Sequence, residues 1–163
     1  MSGQDHSSAG PVNARIFPIP PVVAGLFIGT GVALNWLVPL GGSAFASIGA
    51  RIGGGLILAC ALAIAGLAFL EMRRHRTTFH PGHKAAALVT GSVFQRTRNP
   101  MYLSLTLVTL GLGAVTANPW LILLAPALLL YLQERVVKRE EAYLTARFGS
   151  RYIAYMRKVR RWI

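Results

Sequence analysis

Acidic residues are scarce in this chain. Asp5, Glu71, Glu134, Glu140 and Glu141 are all of them, against 17 lysines and arginines. Charge of either sign accounts for 13% of residues, about half the share found in a water-soluble domain. With 53% hydrophobic residues and a mean hydropathy of +0.49, the 163 residues hold more apolar surface than a soluble fold of that size covers. Lipid is therefore the expected solvent for much of the chain. Cys60 is the only cysteine, which excludes an internal disulfide and a cysteine-based metal site. Its place inside an apolar run reads as a buried, inert thiol. His75, His80 and His83 share one polar stretch but lack a zinc-ligand spacing, so no metal is expected. A Walker loop, a G-x-S-x-G elbow and a dinucleotide fingerprint are all missing, which speaks against those nucleotide and hydrolase chemistries.

The net charge of +12 clusters beside apolar runs and is not interleaved with aromatics. It reads as the cytoplasmic rims of a membrane protein next to anionic headgroups, with membrane lipids as partners and no nucleic acid. The expected fold is all-α and integral to the membrane. It has about four transmembrane helices, a cytoplasmic loop and a C-terminal amphipathic helical segment.

Residues 1–14, polar and without a basic stretch, read as a flexible tail and not as a cleaved signal. Residues 15–163 read as one membrane-embedded domain. Pro18, Pro20 and Pro21 open the first span, Val22 to Val38, where proline costs little because a first-turn N–H has no partner. Gly25 and Gly29 share a face, which suits close helix approach; equally, glycine is simply common in membrane helices. The second span, Ile52 to Leu70, holds nineteen residues without a charge. At about 1.5 Å per residue it nearly crosses a hydrocarbon layer of about 30 Å. Glu71 to Arg76 is expected to end it at the surface. A third span runs from Pro100 or Met101 to about Ala117, and Asn118-Pro119 reads as a tight turn with Trp120 as an interfacial anchor. A fourth runs from Trp120 to Leu132, with a kink expected at Pro126. Glu134 to Ile163 reads as a basic amphipathic helix pair broken at Gly149, lying on the membrane or against the loop. The arginine-rich 73–98 connection and the tail place both termini and any site between them on the cytoplasmic side.

Two clusters invite chemistry. Arg98-Asn99-Pro100 stands at the entry of the third span. It suits a plain helix start, with Asn99 as N-cap and Arg98 reaching for headgroups. It equally suits a cation held at the membrane boundary for an anionic substrate group. Glu140-Glu141 is the only adjacent acidic pair. It reads either as a solvated start of the amphipathic helix or as a carboxylate site for a cationic ligand.

The segment Leu88-Val89-Thr90, Val93-Phe94, Arg98-Asn99-Pro100 and Tyr102 resembles the core motif of the integral-membrane methyltransferases. These are the isoprenylcysteine carboxyl methyltransferases and their bacterial relatives, with the phospholipid N-methyltransferases as cousins. Asn118-Pro119, Glu140-Glu141 with Leu144, Phe148-Gly149, Tyr152, Tyr155 and Val159 extend the likeness over residues 77–163. Three positions depart from the pattern. Asn99 stands where eukaryotic members have histidine, Ser92 where many have glycine, and Val136 where an arginine is frequent, with Arg135 one place off.

The resemblance implies S-adenosyl-L-methionine as cofactor and S-adenosyl-L-homocysteine as product, with a lipophilic acceptor entering from the bilayer. It implies that Leu88, Val89, Phe94, Asn99, Pro100, Met101 and Tyr102 line the cofactor. Glu140 would meet the cofactor's polar end with Glu141 beside it. Arg98 would hold the acceptor's carboxylate, or its phosphate in the lipid case. The catalytic candidates are thus Arg98 and Glu140. The shortage of carboxylates to serve as a base favours O-methylation of an isoprenylcysteine-like carboxylate. N-methylation of a phospholipid or small amine, and S-methylation of a thiol, are the alternatives on the same scaffold. A non-catalytic lipid-binding protein is the alternative from another class.

Overall fold

Proline begins three of the four apolar helices, as its fixed φ and missing N–H allow. A computed structural model describes residues 19–40, 46–75 and 87–163. The 1–14 tail, His80, His83 and Lys84 lie outside the described residues. Helix α1 spans Pro20–Leu37, α3 Pro100–Val115 and α4 Pro119–Leu132, each with proline in its first turn. Helix α2 is longer than its uncharged core, Ile48–Arg74. Ser47 caps its start by accepting from Ala50 N at 3.2 Å. Charge marks where lipid ends, but Arg51 and Glu71 to Arg74 are good helix formers and carry the helix on.

Among the described residues, three helical runs are long and apolar enough to cross a membrane: Pro20–Leu37, Ile48–Arg74 and Pro119–Phe148. At 16 residues, α3 is shorter and reaches only about 24 Å. It lies at the centre of the bundle, packed on α1, α2 and α4. Its hydroxyls are paired within the helix: Ser104, Thr106 and Thr109 donate to the carbonyls of Met101, Tyr102 and Leu105. That matters where water cannot serve as partner.

Glycine sets the closest approaches, at positions other than the expected ones. Around Gly25 and Gly29 there is open space. Gly54 of α2 and Gly111 of α3 face each other instead. A Cβ on either would stand 3.0 Å from the other's carbonyl oxygen. Such backbone proximity drives helix association in lipid, where apolar burial does not. Cys60 is exposed, contrary to the buried thiol expected. A helix apolar on all sides gives no periodicity that marks which face packs.

At the far end of the bundle, Asn118 fixes the α3–α4 turn. Its Oδ1 accepts from Trp120 N and Leu121 N at 3.0 and 3.3 Å, and its Nδ2 donates to Gly31 O at 3.1 Å. Trp120 Nε1 donates to Val38 O at 2.8 Å.

The expected boundary at Glu134 is not a boundary. Helix α4 runs through Pro126 and continues as a π-helical segment, Gln133–Val137, into α5, Lys138–Phe148. The change from apolar to charged residues there contains no helix breaker. Gly149 then ends α5 as expected, with φ +54° and ψ −129°, a conformation open essentially to glycine. Helix α6, Ser150–Lys158, turns back toward the bundle. The tail docks and does not float: Trp162 packs against the core cluster of Val23, Tyr102, Leu132, Val136 and neighbours. Its Nε1 donates to Gln133 Oε1 at 2.9 Å.

Candidate functional site

The segment from Leu88 to Asn99 is held from three sides. Below it lies Glu71, 8% exposed and not at the surface as its charge suggested. The carboxylate of Glu71 approaches Gly91 so closely that a Cβ there would collide with it, and it pairs with Arg74 at 3.7 Å and His75 at 3.4 Å. Ser92 has φ +52°, a left-handed conformation that strains any residue with a Cβ. A short 3-10 turn, Ser92–Gln95, follows. Tyr155 of α6 donates its phenol to Phe94 O at 2.6 Å.

The C-terminal residues strap the other side. Arg98 N donates to Arg160 O at 3.1 Å. Thr97 Oγ1 and Asn99 Nδ2 each donate to Arg161 O at 3.1 Å. Asn99 therefore sits at the N-cap position of α3 without capping it through its side chain. That amide is spent on the strap, which corrects the simple capping role.

Charges converge here. Arg98 is not reaching for headgroups: its side chain is 11% exposed and its Nη1 lies 3.2 Å from Glu141 Oε1. Arg161 grips the same carboxylate with two bonds, Nε to Oε1 at 3.0 Å and Nη2 to Oε2 at 2.7 Å. Despite the ion pair, Arg98 Nε and Nη1 are buried with no hydrogen-bond partner among the described residues. Buried donors left open are costly, about 1–3 kcal/mol each or more when charged. A site with such donors is suited to an anionic group. Tyr102 Oη donates to Glu140 Oε2 at 2.7 Å. Burial, then the nearby Glu141 carboxylate, pushes the Tyr152 phenol up to about 12. Burial likewise raises Tyr155, with Tyr152 adding to it. Both remain neutral at physiological pH.

A cavity of about 100 Å³ opens among these groups, lined by Leu88, Val89, Phe94, Arg98, Asn99, Glu140 and Glu141. An adjoining one of about 60 Å³ is lined by Arg98, Asn99, Pro100, Met101, Tyr102 and Glu140 among others. Every candidate site residue named from the sequence thus borders one cavity or both. Three elements supply them: the 88–99 segment, the start of α3 and α5.

Several lining residues were not singled out as site residues. Met72, on the last turn of α2, borders both cavities, and Ala87, Leu144, Tyr152 and Tyr155 border the larger. Tyr152 and Tyr155 also form a small core with Val159 that packs against Leu88 and Leu144. Their spacing was legible as an apolar stripe, but only the fold shows which surface the stripe meets. Among the described residues, no three histidines, cysteines or carboxylates are grouped to hold a metal ion.

The fold and site define a class first: a helical membrane protein with a charged, polar pocket at one end of its bundle. A family model described as phospholipid methyltransferase matches residues 50–151, well over half the chain. The protein belongs to that family, which is also the family of the isoprenylcysteine carboxyl methyltransferase-like membrane enzymes. Membership supports a membrane methyltransferase. The chain is also similar to an uncharacterized protein of Haemophilus influenzae, 38% identical over 63 residues, which are 39% of this chain and all of that protein. No solved structure matches it.

Proposed function

We propose that the protein is an S-adenosyl-L-methionine-dependent methyltransferase working at the cytoplasmic boundary of the membrane. Its preferred acceptor is the carboxylate of a lipophilic, isoprenylcysteine-like molecule. The observation that carries the reading is Arg98, whose buried Nε and Nη1 have no hydrogen-bond partner among the described residues, in a cavity that also holds Glu140 and Glu141.

The residues present fit the cofactor. Apolar walls from Leu88, Val89, Phe94 and Met101 suit its adenosine. Asn99, Pro100 and Tyr102 complete the lining. Glu140, held by the Tyr102 phenol at 2.7 Å, is a partner for its ammonium, with Glu141 alongside. When bound, the cofactor supplies an electrophilic methyl group on a sulfonium. The chain's own task is to position and to place charge. Arg98 orients an anionic acceptor oxygen at the membrane boundary, and an acceptor carboxylate, already ionised at neutral pH, needs no base. The apolar residues around the cavity keep water from competing.

The family match names phospholipid methyltransferases. That favours, as a second reading, N-methylation of a phospholipid amine with Arg98 on the phosphate. Calorimetric titration of S-adenosyl-L-homocysteine into detergent-solubilised protein tests cofactor binding; no binding at millimolar concentration overturns the proposal. Arg98→Ala is expected to keep that binding and to lose transfer to a carboxylate. Labelled methyl released by alkali as methanol marks an ester, whereas base-stable label in lipid extracts marks the amine reading.

A further inference from the structure

Arg98 presents an unusual state for a buried cation. Its counter-ion is 3.2 Å away, yet Nε and Nη1 have no hydrogen-bond partner among the described residues. The cause lies in the tail. Glu141 has two oxygens, and Arg161 engages both, at 3.0 and 2.7 Å. A planar fork on a carboxylate fixes the plane of that carboxylate. Glu141 can then offset the Arg98 charge without turning its lone pairs onto the Arg98 hydrogens. The backbone of the same residue acts on the same target: Arg161 O accepts from Thr97 Oγ1 and Asn99 Nδ2, the residues on either side of Arg98.

We infer that Arg161 is a positioning residue for the acceptor end of the site, fixing the plane of the Glu141 carboxylate so that it pairs with Arg98 by charge but leaves the Arg98 Nε and Nη1 hydrogens for an anionic acceptor. This rests on the role proposed above for Arg98. Without the Arg161 fork, Glu141 is free to turn onto Arg98 and close the anion site from within. The titratable and charged groups facing Arg98 and Glu141 are Arg161, Glu140 and the Tyr152 and Tyr155 phenols.

The test uses the full chain in detergent with N-acetyl-S-farnesylcysteine as the anionic probe. Arg161→Gln is expected to raise the KM for the probe at least tenfold and to change kcat far less. Arg161→Lys, which keeps the charge but not the fork, should fall between. The deciding variant is Arg161→Gln with Glu141→Gln. Removing the carboxylate leaves nothing to close Arg98, so affinity for the probe should recover. Arg157→Gln, an exposed α6 position, controls for net charge. A strap that only tethers the tail predicts a double variant at least as impaired as the single. That result, or an unchanged KM in Arg161→Gln, overturns the inference and leaves the methyltransferase reading standing. Stabilisation of each variant by the probe, followed by thermal melting without cofactor, decides the role of Arg161 even if transfer is absent. A wild-type protein that the probe does not stabilise counts against it. Failure to bind S-adenosyl-L-homocysteine counts against the methyltransferase reading alone.

Discussion

Tyr102→Phe removes one oxygen atom and should weaken cofactor binding by about tenfold. The phenol is buried at 3% exposure and donates to Glu140 Oε2 at 2.7 Å. Hydrogen bonds to charged groups contribute about 1.5–3 kcal/mol. Glu140 is half-buried, so water can replace part of the lost bond, which selects the lower end. At about 1.4 kcal/mol per factor of ten, that is one order of magnitude in Kd. The phenol acts through Glu140, so the two residues should be coupled. Calorimetric titration of S-adenosyl-L-homocysteine into wild type, Tyr102→Phe, Glu140→Gln and the double variant closes the cycle. A coupling energy of about 1–1.5 kcal/mol is expected. Additive losses within about 0.3 kcal/mol would show that Tyr102 does not orient Glu140.

Other expectations follow from particular elements. The π-helical segment Gln133–Val137 inserts one residue of extra register before Glu140 and Glu141. Deleting exposed Arg135 should restore α-helical register and rotate both carboxylates by about 100°. Calorimetry should then show cofactor binding lost, with helix content by circular dichroism kept. Ser92 holds φ +52°, so Ser92→Gly should stabilise the protein by about 1 kcal/mol, read as a Tm higher by about 2–4 °C. With Tyr152 raised to about 12, its phenol keeps its proton below about pH 9. An acceptor carboxylate is already ionised at about pH 6, so acceptor ionisation should add no rise in kcat/KM above that pH in steady-state assays. A thiol acceptor, with its pKa near about 8.5, or an amine would instead give a rate rising with pH.

The sequence made the spans legible because lipid demands long uncharged runs, and Ile52 to Leu70 is one. Proline at 20 and 100 located two helix starts, and the turn read at Asn118-Pro119 put the fourth start one residue late. The pocket was legible only as two separate motifs, 88–102 and 140–159, through their likeness to a family; the strap joining them was not. Arg160 and Arg161 contact Thr97, Arg98 and Asn99 through backbone carbonyls, and a carbonyl is the same in every residue. Glu71 looked like the end of a span because charge in water is the common case, yet here a loop folds over it. The helix crossing Glu134 escaped notice because solvent changes there while helix propensity does not. Gly25 and Gly54 are equally suited to close packing, and only the arrangement of α2 against α3 separates them.

The central claim is that the pocket between residues 88–102 and 140–161 transfers methyl groups to a membrane-borne acceptor. Its most direct test is incubation of the protein in liposomes with methyl-labelled S-adenosyl-L-methionine and N-acetyl-S-farnesylcysteine, measuring label released by alkali as methanol. The account predicts release with the wild type and none with Arg98→Ala. No labelled product from this carboxylate, nor from lipid amines or thiols in the same vesicles, contradicts it, as does undiminished release with Arg98→Ala.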